Sequence, residues 1–253
     1  MHLSIQGILL TATIVQGAYG RVSRQSPFHV ETFSPPAIPV DLYVMSKCPD
    51  TIHCEEVFGG ILDKIGSIVN LNVYYIGREV NGSLMCKHGE DECRANKMQL
   101  CAKALYRWHE IPTAWFRLIQ CQNKDYEAIG ADDSLEYCSL REDMSFHKLK
   151  ECADGPYGSS LLSQSFVETR EKGISSFLST SCTMVINQKV RCVRDSTWKE
   201  CAGGHSVDDF VRDICDVYKS ISPTSALPEG CPTPPEDHQS MRFPKLLVDS
   251  TSK

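Results

Sequence analysis

The stretch from Val40 to Ile76 constrains the fold more than any other part of the chain. Val40–Met45 is a short run of β-branched, aromatic and apolar residues, the composition of a strand. A turn at Ser46-Lys47 leads to Cys48 and Pro49, and proline suits the first position of a helix because the N–H there has no intrahelical partner. Val57, Phe58, Ile61, Leu62 and Ile65 then recur at helical spacing, which predicts a helix over about Thr51–Gly66. Val69–Ile76 alternates as a second strand, with Val69, Leu71, Val73 and Tyr75 on one face and Tyr74 and Ile76 on the other. Strand, helix and strand in this order predict a parallel βαβ unit. It would set the Cys48 thiol at the positive end of a helix dipole, where an anion is stabilised, with Lys47 beside it. That is an arrangement for thiol–disulfide chemistry. A redox pair usually reads C-x-x-C, however, and here Thr51 stands where the second cysteine would be.

Thirteen cysteines in 253 residues bound the compartment. A secreted chain pairs most of its cysteines, whereas a cytosolic one must keep them reduced or bind metal. Leu3–Val15 is apolar with only Ser, Gln, Gly and Thr interruptions, and Ala18 and Gly20 occupy the −3 and −1 positions of a cleavage site. Residues 1–20 therefore read as a secretory signal peptide. The mature chain is expected outside the cell or in a lysosomal or vacuolar lumen. No other apolar run is long enough to span a bilayer, so no membrane association is expected after cleavage. The net charge of −6 and the lack of a long basic stretch argue against a nucleic-acid partner. Because the cysteine count is odd, one thiol is left over or pairs outside the monomer, and Cys231 is the candidate for it.

Residues 21–38, with Pro27, Pro35 and Pro36, read as a linker. Asn81-Gly82-Ser83 is an N-glycosylation sequon in a turn-like setting, which makes Asn81 a surface acceptor in a secreted chain. From about residue 82 to 152 the chain is cysteine-rich and mostly helical. One helix is expected over Asn96–His109 with Met98, Cys101, Leu105 and Trp108 on one face, and another over Gly158–Lys172. Thr183–Asn187 and Val190–Val193 flank a short turn and read as a hairpin. Ser206 is a good N-cap for a helix to Tyr218 with Val207, Phe210, Val211, Ile214 and Cys215 inward. Residues 220–253 are proline-rich and polar and read as a disordered tail. The order is β-α-β, helical block, α, β-β-α. This is an α/β chain of thioredoxin-like order over residues 39–219, with a cysteine-rich helical insertion after its second strand.

The most specific segment is Cys86-Lys-His-Gly-Glu-Asp-Glu-Cys93-Arg-Ala-Asn-Lys-Met-Gln-Leu-Cys101. It resembles the signature of the gamma-interferon-inducible lysosomal thiol reductase family, C-Q-H-G-x-x-E-C-x-x-N-x-x-x-x-C. Cys86, His88, Gly89, Glu92, Cys93, Asn96 and Cys101 match, and Lys87 replaces the glutamine. The resemblance continues at Cys152-Ala-Asp-Gly-Pro-Tyr-Gly158, at Leu161-Leu162 and at Cys48-Pro-Asp50, and spans roughly Pro39 to Lys219. It implies a thioredoxin-like fold with a helical insertion and the reduction of protein disulfides in an acidic lumen. The family uses a Cys-x-x-Cys pair after the first strand, in which the first cysteine attacks the substrate and the second resolves the mixed disulfide. Cys48 matches the first and Thr51 replaces the second. The next cysteine, Cys54, lies six residues on. Six helical residues rise ~9 Å, beyond the Cα separation of ~4.4–6.8 Å that a disulfide accepts, so a Cys48–Cys54 bridge would need an irregular loop across Pro49–His53. The family also carries a proline before its hairpin strand, in the cis form that shapes the peptide-binding edge of thioredoxin folds. Cys182 stands at that position here.

Two functions follow. In the first, the chain is a thiol–disulfide oxidoreductase with Cys48 as nucleophile, acting on disulfide-containing proteins. Release would come from Cys54 after local unwinding or from a small external thiol, with the Thr51 hydroxyl donating to the Cys48 sulfur and His53 a candidate base. In the second, the chain is a non-catalytic binding protein held by its disulfides. Cys86, Cys93, Cys101, Cys121, Cys138, Cys152, Cys182, Cys192, Cys201 and Cys215 are the structural disulfide candidates, with pairings that sequence leaves open. Cys86, His88, Cys93 and Cys101 could bind zinc by ligand type, but an oxidising lumen favours disulfides and no C-x-x-C knuckle is present. His88 reads as a turn cap with Gly89. No metal and no cofactor are expected.

Overall fold

A computed structural model of the chain describes residues 37–109, 112–173 and 181–232. The expected leader and nearly all of the expected linker lie outside the described residues. Strand β1, Ile38–Val44, leads into helix α1, Pro49–Ile65, and a short 3-10 turn delivers the chain to β2, Val69–Tyr75. β1 and β2 pair in parallel, from Ile38 opposite Val69 to Val44 opposite Tyr75. Side chains alternate across β1 with the period of a strand. Ile38, Val40, Leu42 and Val44 share the main core with Phe58, Ile61 and Ile65 of α1. Tyr43 and Met45 point the other way, into a second cluster with Ile76 and Val185, and Cys48 packs against this cluster.

After β2 comes a hairpin, β3 (Arg78–Val80) and β4 (Ser83–Met85). Its two-residue tip is Asn81-Gly82, with φ of +50° and +78°. Positive φ at both central positions matches the right-handed twist of the flanking strands, and Asn-Gly is the pair that adopts it most readily. The helical block follows as α2 (Glu90–Tyr106), α3 (Ala114–Gln122), α4 (Asp132–Arg141) and α5 (Phe146–Asp154), and α6 (Pro156–Glu171) returns to the sheet. Cys101–Cys152 ties α2 to α5, and Cys121–Cys138 ties α3 to α4.

The face expected for the first inserted helix is corrected. Met98 and Cys101 are buried, but Leu105 and Trp108 are exposed. The helix starts six residues earlier than expected, and its buried stripe contains Glu92, Asn96 and Gln99. A search for apolar spacing passes over such polar side chains.

The chain then enters β5 (Thr183–Ile186), β6 (Lys189–Asp195) and β7 (Thr197–Lys199), and closes with α7 (Val207–Ile221). The sheet order is β2-β1-β5-β6-β7, antiparallel from β1 through β5 and β6 to β7. A βαβ unit joined to a hairpin and a final helix in one mixed sheet is a thioredoxin-like α/β fold, with α2–α5 and the small hairpin inserted after β2. α7 packs on α1 and α6 lies against β2. α7 opens on a capping box in which Ser206 accepts from the Asp209 N–H and Asp209 accepts from the Ser206 N–H, satisfying two donors that the helix leaves open. Beyond α7 the expected tail is corrected as far as Pro232. Cys231 bonds to Cys215 of α7, and Gly230 lies so close to the Lys64 backbone that a Cβ there would collide with it. Among the described residues no helix is long and apolar enough to cross a membrane.

Candidate active site

Cys48 stands at the N-cap of α1 in extended backbone, with φ −99° and ψ 124°. Its own N–H donates to Met45 O at 2.9 Å, and its carbonyl accepts the Ile52 N–H at 3.2 Å. It is partly exposed and is the one free cysteine. The other twelve form six bridges, namely Cys54–Cys182, Cys86–Cys93, Cys101–Cys152, Cys121–Cys138, Cys192–Cys201 and Cys215–Cys231. Two expectations change. Cys231 is not the leftover thiol, because α7 brings Cys215 to it. Cys54 is not a free resolving thiol, because α1 is helical from Pro49 onward and its buried sulfur is bonded to Cys182, Cα to Cα 6.4 Å.

The turn before Cys48 is gripped from α2. Glu92 has no exposed surface, and its Oε2 accepts the Lys47 N–H at 3.3 Å. The same carboxylate accepts the His88 N–H at 3.3 Å and pairs with His88 Nδ1 at 2.5 Å. Asn96 Oδ1 accepts the Ser46 N–H at 3.2 Å, while Asn96 Nδ2 faces Cys86 Sγ at 3.6 Å. The Cys86–Cys93 bridge closes the loop that carries His88 into the first turn of α2. These side chains satisfy backbone donors that the buried turn would otherwise leave unpaired, the situation in which a hydrogen bond matters most. His88 thus serves Glu92, and Gly89, at φ +92°, is the helix N-cap.

Thr51 is completely buried one turn into α1. Its hydroxyl accepts the Met45 N–H at 3.1 Å and makes a short hydrogen bond with the Ser181 hydroxyl. It therefore serves the backbone of β1 and the segment before β5, and the expected bond to the Cys48 sulfur is replaced by these. The Cys48 thiol instead faces Ser181 O at 3.9 Å. The Ser181–Cys182 peptide is cis, at the position where the sequence comparison set Cys182 in place of a proline.

The rim comes from β6 and β7. Asp50 pairs with Arg194 at 3.3 Å and accepts the Ser196 N–H at 3.0 Å. Arg194 lies over the Trp198 ring, and His53 and His205 pack on that same ring. His53 is thus a partner of Trp198, and with Cys54 oxidised it has no thiol to serve as base. The Lys47 ammonium is also redirected, donating to Ile129 O at 3.3 Å and lying over the Tyr126 ring. Further along α1, Glu55 is fully buried. Its Oε2 accepts from Asn123 Nδ2 at 2.6 Å, whereas its Oε1 has no partner. Burial pushes this carboxyl up to about 8, against the pull of the Asn123 hydrogen bond.

The sequence model of gamma interferon inducible lysosomal thiol reductase matches residues 39–142, from β1 through the gripping turn and α2 to the end of α4. A gamma-interferon-responsive lysosomal thiol protein of Arabidopsis thaliana is 23% identical over 205 residues, covering 77% of this chain and 75% of its own. Over residues 39–142 the chain is thus similar to the gamma interferon inducible lysosomal thiol reductase family. Among solved structures it is similar to the oxidoreductase DsbA of Xylella fastidiosa, with 15% identity, TM-score 0.44, and coverage of 75% of this chain and 88% of that one. A thioredoxin-like oxidoreductase of Silicibacter pomeroyi gives 12% identity, TM-score 0.42 and coverage of 62% and 78%.

Three residues after Cys48, where the resemblance expects a second cysteine, Thr51 is built into the packing. The signature residues Glu92 and Asn96 had no role assigned from sequence, and the structure brings them to the Ser46-Lys47 turn. The signal available for them was their place among the matched positions of the Cys86–Cys101 segment, four residues apart and so on one face of a helix.

Proposed function

We propose that this protein is a thiol–disulfide oxidoreductase that works through one thiol, Cys48. The observation that carries the reading is that six bridges consume every other cysteine and leave Cys48 partly exposed at the N-terminus of α1, where the helix dipole favours the attacking anion. The Cys48 thiolate attacks a disulfide of a protein substrate. One substrate sulfur leaves as thiolate and the other is held as a mixed disulfide. A small thiolate attacks Cys48 Sγ and the second substrate sulfur leaves as thiolate; a second small thiolate then attacks the first, freeing Cys48 and leaving as the small disulfide. Six disulfides fit a lumenal or secreted protein, and we place this chain in the extracellular space or a lysosomal or vacuolar lumen. The same placement makes Asn81, exposed at the β3–β4 tip, a glycan acceptor.

Insulin-disulfide reduction by wild type and Cys48→Ser, with and without a small monothiol, tests the reading. Wild type is expected to accelerate reduction only with the monothiol present, and Cys48→Ser not at all. Full activity in Cys48→Ser, or inactivity of wild type with no mixed disulfide at Cys48, would leave the non-catalytic binding protein as the function.

A further inference from the structure

We infer that Cys182 is the sulfur that resolves a mixed disulfide on Cys48, with Cys54 as its partner in a three-cysteine relay. The inference rests on the one-thiol reading above and names what that reading leaves to an external thiol. Its first support is position. The Cys48 thiol faces Ser181 O at 3.9 Å, and that carbonyl belongs to the peptide group ending at the Cys182 nitrogen. Cys54 lies on the same helix as Cys48, and regular helix geometry keeps the two apart. Cys182 comes from a different segment, so no helical rise separates it from Cys48. Cys182 is bonded to Cys54, Cα to Cα 6.4 Å, and of the two bridge members it is the one that this helix constraint leaves open to Cys48.

The second support is access. Cys54 and Cys182 both have 0% exposure, so a solvent thiol cannot approach their bridge in line. Exchange at this bridge therefore has to pass through an internal thiol, and Cys48 is the only one in the chain.

The chemistry balances. With Cys54 and Cys182 reduced, the Cys48 thiolate attacks the substrate disulfide and one substrate thiolate leaves. The Cys182 thiolate attacks Cys48 Sγ and the second substrate thiolate leaves. The Cys54 thiolate attacks Cys182 Sγ, re-forming Cys54–Cys182 and freeing Cys48. The two protons of the buried dithiol end on the substrate thiols, and its two electrons reduce the substrate disulfide. The structure is the oxidised form. Two equivalents of a small monothiol regenerate the dithiol through the same gate. Cys48 opens the buried bridge to give Cys48–Cys182, the first thiolate attacks Cys48 Sγ and frees Cys182, and the second leaves with the first as the small disulfide.

The test follows each bridge in the native full-length protein by timed acid quench, alkylation and peptide mass mapping during incubation with reduced glutathione. Cys54–Cys182 is expected to open in wild type and to open on the order of tenfold or more slowly in Cys48→Ser, since access governs exchange. The Cys192–Cys201 bridge, whose Cys201 is partly exposed, should open equally in both. In Cys54→Ser treated with oxidised glutathione, a Cys48–Cys182 bridge is expected. If Cys54–Cys182 opens equally in wild type and Cys48→Ser, or stays closed in both, the relay is wrong. Should Cys54→Ser carry glutathione on Cys48 while Cys182 remains a thiol, the relay is likewise wrong and the one-thiol reading stands. If Cys48 of wild type takes up no glutathione from oxidised glutathione, the one-thiol reading itself falls. Where Cys54→Ser does not fold, the comparison of wild type with Cys48→Ser decides alone.

Discussion

Glu92, buried in the first turn of α2, accepts the backbone N–H of Lys47, the residue immediately before the free cysteine. The bond fixes the turn that aims Cys48, and Asn96 repeats the device one residue earlier. A helix N-terminus activates a thiol only if the chain enters it at a defined angle. Glu92 and Asn96 thus act on the turn before Cys48 from a different element.

Replacing the fully buried Glu92 by alanine removes the acceptor of the part-buried Lys47 and His88 N–H groups, a cost of about 1–3 kcal/mol in all. Urea unfolding of Glu92→Ala is expected to show a loss of that size, together with slower reaction of Cys48 with a disulfide probe. Glu90→Ala, exposed in the same helical turn, should stay within about 0.5 kcal/mol of wild type. Equal behaviour of the two variants would remove Glu92 from the account.

The pH dependence of stability should carry the mark of Glu55. Burial raises this carboxyl to about 8. Below the ordinary carboxylate range the folded and unfolded chains both hold its proton. Between that range and about 8 the unfolded chain has lost the proton and the fold retains it, so stability falls as pH rises. The loss is on the order of 2–3 kcal/mol between pH 5 and pH 7. Glu55→Gln removes this slope without removing the Asn123 contact. Its thermal midpoint should fall less than that of wild type over the same interval, and parallel curves for the two proteins would contradict the assignment.

The sheet and the position of Cys48 were legible because each had a local cause. Apolar alternation set β1 and β2, Pro49 started α1 and Ser206 capped α7. The grip on Cys48 was not legible, since Glu92 and Asn96 meet Ser46 and Lys47 only through the tertiary fold and no periodicity marks a polar side chain as buried. Cysteine pairing was hidden for the same reason. Cys54 and Cys182 are separated by 128 residues, and spacing says nothing about which elements will touch. The β3–β4 hairpin did carry its signal in Asn81-Gly82, but three-residue strands offer too little alternation to confirm it.

Glycosylation at Asn81 is best tested from the other end of its sequon. Asn81 has φ +50°, a conformation asparagine tolerates better than most residues, so replacing it would also disturb the hairpin. Ser83→Ala keeps the turn and removes the acceptor motif. Expressed through a secretory pathway, wild type should lose mass on treatment with a glycan-removing amidase and Ser83→Ala should not. A wild-type mass already equal to that of the bare chain would exclude a glycan there.

The sharpest test of how this site differs from a two-cysteine site is Thr51→Cys. Thr51 sits three residues after Cys48, a rise of ~4.5 Å along the helix, within the Cα range a disulfide accepts. The side chain it replaces is buried and holds Met45 N–H and the Ser181 hydroxyl, so the variant should lose about 1 kcal/mol of stability. In return a thiol stands one turn from the mixed disulfide and can attack it directly. Insulin reduction by Thr51→Cys is expected to be faster than wild type at every monothiol concentration and less dependent on that concentration. The advantage should persist when Cys54 and Cys182 are both changed to serine, because release then no longer needs the buried bridge. If Thr51→Cys is no faster than wild type while its Cys48 still reacts with a disulfide probe, resolution is not what limits this protein and the reading of Thr51 is wrong.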